Sequence, residues 1–121
     1  MSNPALHHKI TYIEFTTTDM ERTRKFYSTV FGWSFKDWGP DYIDCNAAGS
    51  GIAIGFARGA AAQEQPKYAP LVVLYSADLK ATGAAIVAAG GSITVPTFEF
   101  PGGRRFHFSD GAGNLLGVWS E

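Results

Sequence analysis

The chain has 121 residues, of which 45% are hydrophobic and 17% are charged, and its formal net charge is −1 at pH 7. This size and composition are typical of one globular domain and exclude a disordered tail. The near-neutral charge, without a run of lysines or arginines, argues against nucleic-acid binding. A single cysteine excludes an intrachain disulfide framework, and no apolar run is long enough for a membrane span. We therefore expect a soluble, cytoplasmic domain.

The first half of the chain predicts a strand, a helix and then three short strands. Side chains alternate over residues 10–16, which is typical of a strand. Thr18 and Glu21 have the spacing of a capping box, and apolar residues then recur at helical spacing as far as Phe31. Gly32 suits the left-handed conformation that ends a helix. Further strands are predicted over residues 33–38, 41–47 and 51–58.

The second half repeats this order. A strand ends near Asp78, a second helix follows, and a constant shift in numbering aligns Asp19 with Asp78 and Gly32 with Gly91. Three more strands are predicted over residues 92–100, 103–110 and 114–120. The repeat predicts one α+β domain over residues 1–121, with tandem βαβββ modules at about 8–58 and 68–121 and a linker at about 59–67. The modules are expected to form a curved mixed sheet around a shared cavity.

Strand alternation also predicts which side chains face this cavity. Phe106 and Phe108 are the natural core residues of their strand, so their neighbours point the other way. The same parity on the other strands gives a largely aromatic surface with a few polar groups, which is typical of a small-molecule site. The predicted cavity residues are Tyr12, Glu14, Thr16, Leu71, Tyr75, Arg105, His107 and Trp119.

Three of these residues carry groups suited to chemistry. His107 titrates near neutrality and is the candidate general acid or base, the alternative being a hydrogen-bonded structural histidine. Glu14 is either a second base or the ion-pair partner of Arg105. Arg105 suits a bidentate contact with a carboxylate or phosphate. Trp33, Trp38 and Trp119 are candidates for an interface or a pocket rim, or alternatively for ordinary core.

Three stretches resemble the vicinal oxygen chelate superfamily, which has the glyoxalase, bleomycin-resistance and dioxygenase fold. They are residues 18–35, residues 88–93 at the end of the second helix, and residues 104–119. The last stretch contains a variant of the family's Asp-Pro-Asp-Gly-Asn turn. The resemblance implies metal-ligand positions at Tyr12, at Leu71, at Gly117 and within residues 54–56. These positions supply almost no ligating side chains, so we expect no metal and no other cofactor.

The resemblance and the missing ligands together lead to three functional hypotheses. The first is a protein of the bleomycin-resistance type that binds a small organic molecule in an aromatic cavity without a metal. The alternative is a lyase or isomerase in which His107 and Glu14 transfer protons. A third is a divalent-metal enzyme of the glyoxalase type with an unusual ligand set that includes those same two residues. The resemblance also implies a homodimer.

Overall fold

The structure is a computed structural model that describes residues 4–59 and 69–121. The predicted linker therefore lies outside the described residues from position 60 onward. A 3₁₀ turn at Pro4–Leu6 precedes the first module, which contains β1 (Tyr12–Thr17), α1 (Met20–Phe31), β2 (Lys36–Asp37), β3 (Tyr42–Cys45), α2 (Ala47–Ser50) and β4 (Ala53–Arg58). The second contains β5 (Val72–Tyr75), α3 (Leu79–Ala88), β6 (Ser92–Phe100), β7 (Gly103–Ser109) and β8 (Leu115–Ser120).

Each module forms its own four-stranded mixed sheet. Sheet A has the strand order β1-β4-β3-β2, and sheet B has the corresponding order β5-β8-β7-β6. In each sheet the first strand pairs in parallel with the last, and the other pairs are antiparallel. The α+β class and the tandem modules are thus confirmed, whereas the short helix α2 is absent from the sequence prediction. Over residues 4–59 and 69–121, no helix has the length and apolar character needed to cross a membrane.

The two long helices begin with the same cap. Asp19 accepts a hydrogen bond from the backbone N–H of Arg22 at 3.1 Å, and Asp78 accepts one from Ala81 at 3.1 Å. A capping box that starts at Thr18 is therefore wrong: α1 begins at Met20 and its cap is Asp19. The physical reason is that the Asp19 carboxylate itself accepts from the backbone N–H of the third residue after it, Arg22.

The duplication is also visible in the hydroxyl groups beside these caps. Thr17 and Thr23 share a hydrogen bond of 2.7 Å between their side-chain oxygens, and Ser76 and Thr82 share one of 2.8 Å. In both modules this pair ties the end of the first strand to the first turn of the helix that follows it. The modules therefore repeat individual hydrogen bonds as well as their order of elements.

The helix ends repeat less closely. Gly32 ends α1 in the left-handed conformation with φ 73°, as predicted. After α3 the residue in that conformation is Gly90, with φ 96°, so the alignment of Gly32 with Gly91 is wrong by one residue. Gly91 instead lies where space is short, because a Cβ there would come within 2.9 Å of Ile86 and of Phe26.

One hydrophobic core joins the modules, and α1 contacts both sheets. The ring of Tyr27 lies 4.9 Å from the ring of Phe56 in sheet A, and the ring of Phe26 lies 6.1 Å from that of Phe108 in sheet B. All four side chains are fully buried. The sides of the two sheets that bear Phe56 and Phe108 therefore face the core, and their opposite sides face away from it.

The three tryptophans have different environments. Trp33 is buried and stacks on Tyr27 with ring centres 5.1 Å apart, so it belongs to the core and the interface or rim interpretation is wrong for it. Trp38 is exposed, and the Lys36 ammonium lies 4.0 Å from the centre of its ring. Trp119 is partly buried on β8. Position along the chain therefore does not predict the exposure of these aromatic residues.

The turn between β7 and β8 is organised by a buried carboxylate. Asp110 accepts hydrogen bonds from the Tyr27 hydroxyl at 2.9 Å and from the backbone N–H groups of Ala112 at 2.8 Å and Asn114 at 3.1 Å. The Asn114 side chain also donates to the carbonyl of Thr16 in the other module at 2.9 Å. This turn therefore ties the second module to the first.

Candidate functional site

The sides of the sheets that point away from the core carry the predicted site residues. We call face A the outward side of sheet A, which bears Tyr12, Glu14, Thr16, Tyr42 and Asp44. We call face B the outward side of sheet B, which bears Val73, Tyr75, Phe98, Phe100, Arg105, His107 and Trp119. Strand alternation places these side chains opposite those that build the core.

The structure divides the predicted site between the two faces. Tyr12, Glu14 and Thr16 lie on face A, while the remaining predicted residues lie on or beside face B. Glu14 accepts a hydrogen bond from Tyr42 at 2.9 Å. Across residues 4–59 and 69–121, no ion pair joins Glu14 to Arg105, and no hydrogen bond joins Glu14 to His107.

Arg105 lies among aromatic rings on face B. Its guanidinium carbon is 5.1 Å from the ring centre of Phe98 and 5.4 Å from that of Phe100. A planar cation held near aromatic faces is stabilised by the electron density of the rings. Its Nε is buried and has no hydrogen-bond partner among the described residues. Arg105 therefore has an unused donor, and no carboxylate in the described part of the chain lies within 4.0 Å of it.

His107 is two residues further along the same strand and faces the same way. Its ring meets the ring of Phe98 edge to face, with centres 5.7 Å apart. Burial, and secondarily the charge of Arg105, lowers the pKa of His107 below its ordinary value of 6.5. Both effects favour the neutral form of the imidazole. Its Nε2 is buried without a hydrogen-bond partner among residues 4–59 and 69–121.

Aromatic side chains extend face B beyond Arg105. The rings of Tyr75 and Trp119 meet at 5.1 Å, and those of Phe100 and Trp119 at 6.4 Å. Phe98 and Phe100 were missed by sequence reasoning, although they alternate along their strand. The pairing of Phe98 with Arg105 across β6 and β7 is what brings them to this face.

A glycine forms the floor of face B. A Cβ at Gly117 would lie 3.4 Å from side-chain carbons of Leu71, Val73 and His107. The space above this glycine is therefore already bordered by two aliphatic side chains and the imidazole. Leu71, which the sequence predicts as a cavity residue, borders this space above Gly117.

A second glycine occupies the equivalent position on face A. A Cβ at Gly55 would overlap the hydroxyl oxygens of both Tyr12 and Tyr42, so these two hydroxyls lie directly over it. The two hydroxyls are hydrogen-bonded to each other, and Tyr42 donates to Glu14. Burial and these hydrogen bonds raise the pKa of Tyr42 well above its ordinary value of 10.0. Tyr42 was also missed, because only the register of β3 on β4 brings it beside Glu14.

The family's usual metal does not fit these residues. The resemblance implies ligand positions at Tyr12, Leu71 and Gly117 and a fourth within residues 54–56, of which Gly55 is the one on face A. Neither glycine nor leucine has a side-chain donor, and a bound divalent metal requires at least three such ligands. Within the described ranges, no group of three His, Cys, Asp or Glu residues is arranged to hold a metal ion. We therefore derive no chemistry through a metal.

Comparison with known proteins gives the chain's relationships. It is 28% identical over 117 residues to the putative glyoxylase CFP32 of Mycobacterium tuberculosis, covering 89% of this chain and 44% of that protein. The chain thus spans less than half the length of that curated relative. It is 32% identical over 120 residues to a glyoxylase-like domain-containing protein of Didymella fabae, covering 88% of this chain and 90% of the relative.

A solved structure and a family model also match this chain. The crystal structure of a glyoxalase-related enzyme from Fulvimarina pelagi superposes with a TM-score of 0.73 at 21% identity, covering 94% of this chain and 88% of the other. The family model described as the Glyoxalase/Bleomycin resistance protein/Dioxygenase superfamily matches residues 9–118. The chain therefore belongs to the glyoxalase, bleomycin-resistance protein and dioxygenase superfamily.

Proposed function

We propose that face B binds a small organic molecule that carries an anionic group on an aromatic or apolar body, without a metal. The observation that supports this most strongly is the pair of buried, unpartnered nitrogen atoms, Nε of Arg105 and Nε2 of His107. Buried polar atoms are almost always hydrogen-bonded, so such a pair on one strand indicates a missing partner. A carboxylate or a similar oxyanion is the acceptor to which a guanidinium donates its strongest hydrogen bonds.

The surroundings of Arg105 favour the aromatic or apolar body. Phe98 and Phe100 place two rings beside the guanidinium. The ring of Trp119 lies next to that of Phe100, and Tyr75 extends the surface next to Trp119. A flat or apolar group on this surface would lose contact with water while its anionic group reaches Arg105. Small-molecule sites commonly combine such an apolar lining with a few polar groups.

The second candidate function is proton transfer, as in a lyase or isomerase. It is favoured by the neutral imidazole of His107, whose unpartnered Nε2 suits a general base at pH 7. Glu14, which the sequence suggests as the second proton-transfer residue, lies on the other sheet and accepts a hydrogen bond from Tyr42. Within one chain this candidate therefore rests on His107. Conversion of a bound ligand by the wild type, and its loss in His107→Gln, would establish proton transfer in place of binding alone.

We also propose that a second copy of the chain is its partner. Support comes from the family resemblance and from the exposure of Trp38, a large apolar residue that is 57% exposed. Light scattering should give twice the chain mass of 13.0 kDa. A single species of 13.0 kDa at all concentrations would exclude the dimer.

Isothermal titration tests the binding proposal with three ligands of similar shape: benzoate, benzyl alcohol and benzylamine. We expect benzoate to bind more tightly than benzyl alcohol, and Arg105→Gln to weaken benzoate binding by at least about tenfold. Arg104→Gln is the matched control, because Arg104 is the preceding residue and its side chain is exposed on the other side of the strand. Equal benzoate affinity in the wild type and Arg105→Gln would overturn the proposal.

A further inference from the structure

The two unpartnered nitrogen atoms of face B differ in the partner that each requires. Nε of Arg105 can only donate a hydrogen bond, so it requires an acceptor. A neutral imidazole has one donor nitrogen and one acceptor nitrogen, and a carboxylate satisfies only the donor. A hydroxyl group both donates and accepts. It therefore pairs with Nε2 of His107 whichever ring nitrogen carries the proton, while an anion pairs with Arg105.

The spacing of these two residues allows one molecule to reach both. They are two positions apart on β7 and point to the same side, so their Cα atoms lie about 7 Å apart. The ring of Phe98 lies beside both side chains, with its centre 5.1 Å from the guanidinium carbon of Arg105 and 5.7 Å from the centre of the imidazole. Substituents at opposite ends of one benzene ring span a comparable distance, whereas adjacent substituents do not.

The glycine opposite His107 leaves room beside the imidazole. Gly117 pairs with His107 across β7 and β8, and a Cβ at Gly117 would lie 3.4 Å from Cδ2 of His107, the ring carbon bonded to Nε2. The other side chains that border this space, Leu71 and Val73, are aliphatic and offer no hydrogen bond. Since Nε2 has no partner among residues 4–59 and 69–121, the space above Gly117 suits a polar group supplied by a ligand.

We infer that the ligand of face B is a flat ring with an anionic group at one end and a hydroxyl group at the opposite end. Arg105 binds the anionic group, and Nε2 of His107 binds the hydroxyl group above Gly117. This inference rests on the proposed function, because it takes the anion at Arg105 as given, and it adds the second polar group and its position. Gly117 then determines specificity, since a side chain there would occupy the space of the hydroxyl group.

Isothermal titration with 4-hydroxybenzoate and 4-methylbenzoate tests this inference, because the two compounds have nearly the same shape and only one has a hydroxyl group. We expect the wild type to bind 4-hydroxybenzoate at least about tenfold more tightly. His107→Leu should remove this preference, because leucine has no polar side-chain atom. Gly117→Ala should remove it as well, because the added methyl group fills the space beside the imidazole.

Gly83→Ala is the matched control. Its added methyl group would meet the ring of Phe106 at 3.7 Å, an ordinary contact on the other side of sheet B, so the preference should persist. Equal affinity of the wild type for the two compounds, with benzoate binding that still depends on Arg105, would overturn this inference and leave the anion site intact. Tighter binding of 2-hydroxybenzoate than of 4-hydroxybenzoate would also overturn it, since the polar groups of that compound are adjacent. Unweakened binding of all these benzoates in Arg105→Gln would instead refute the proposed function itself.

Discussion

The hydroxyl of Tyr27 in α1 donates a hydrogen bond of 2.9 Å to Asp110, and both residues are buried. The contact joins the helix of the first module to the turn that precedes the last strand of the second. Burial, and then the neighbouring carboxylate, raises the pKa of Tyr27 well above its ordinary value of 10.0, so the phenol remains the donor. The aromatic residue that sits mid-helix thus serves both the core and the link between the modules.

Removing this hydroxyl should destabilise the whole domain. Tyr27→Phe keeps the ring but leaves Asp110 with one donor fewer, and we expect a loss of about 1–3 kcal/mol in the free energy of unfolding. Urea denaturation measures this loss. Tyr75→Phe is the control, because its hydroxyl bonds to Glu121 at the surface and the change should stay within about 0.5 kcal/mol. Equal effects of the two substitutions would contradict this role for Tyr27.

The two helix caps should contribute equally. Asp19→Ala and Asp78→Ala each remove the acceptor for one backbone N–H, and each should lower stability by about 1 kcal/mol. Thr18→Ala should change stability little, because Thr18 is exposed and does not cap α1. A large loss in Thr18→Ala with none in Asp19→Ala would restore the capping box that the sequence suggests.

The two equivalent glycines should respond differently to an added methyl group. Gly55→Ala would force the phenol hydroxyls of Tyr12 and Tyr42 apart, whereas Gly117→Ala would meet only ordinary contacts at 3.4 Å. We therefore expect Gly55→Ala to be the more destabilising in thermal denaturation. The difference should shrink when Tyr12 and Tyr42 are both replaced by Ala, because the space over position 55 is then open. A persistent difference in that background would show that the phenols are not its cause.

His107 should make stability depend on pH. Its pKa is lower in the folded chain than its ordinary value of 6.5, so the unfolded chain binds its proton first as the pH falls. Stability from this residue is therefore complete above 6.5 and is lost below it, towards the folded-state pKa. Urea denaturation at about pH 7.5 and pH 5.5 should show a smaller loss in His107→Gln than in the wild type.

The charge of Arg105 is one cause of the lowered pKa of His107, and this can be tested by substitution. Because the charge of Arg105 contributes to the lowered pKa of His107, Arg105→Gln should raise the pKa of His107 in an NMR titration of the imidazole. Arg104→Gln should leave it nearly unchanged. A wild-type stability that falls less than that of His107→Gln between pH 7.5 and pH 5.5 would contradict the assigned direction of the shift.

Sequence patterns predict the modules well because the periodicity of strands and helices is local. The repeat of Asp19 at Asp78 and the stop at Gly32 follow from single residues and their neighbours. The burial of Trp33 does not, since it depends on the position of Tyr27 after folding. The sequence also does not predict that α3 is followed by a left-handed residue at Gly90, because the adjacent Gly91 suits that conformation equally well.

The candidate site was harder to predict because it depends on the register between strands. Alternation predicts the side of its strand on which Glu14 or His107 lies. It does not predict that the two residues belong to different sheets. Phe98 reaches Arg105 through the pairing of β6 with β7, and Tyr42 reaches Glu14 across β4. These relationships are long-range, and no local pattern in the chain contains them.

The most direct test of the account is an NMR titration of the labelled chain with benzoate in the presence of EDTA. We predict that benzoate shifts the amide signals of Gly117 and of residues beside Arg105, leaves Gly55 unchanged, and binds as tightly with chelator as without it. Arg105→Gln should abolish these shifts, and Arg104→Gln should preserve them. Shifts confined to Gly55, or binding that EDTA removes, would contradict an anion site on face B that works without a metal.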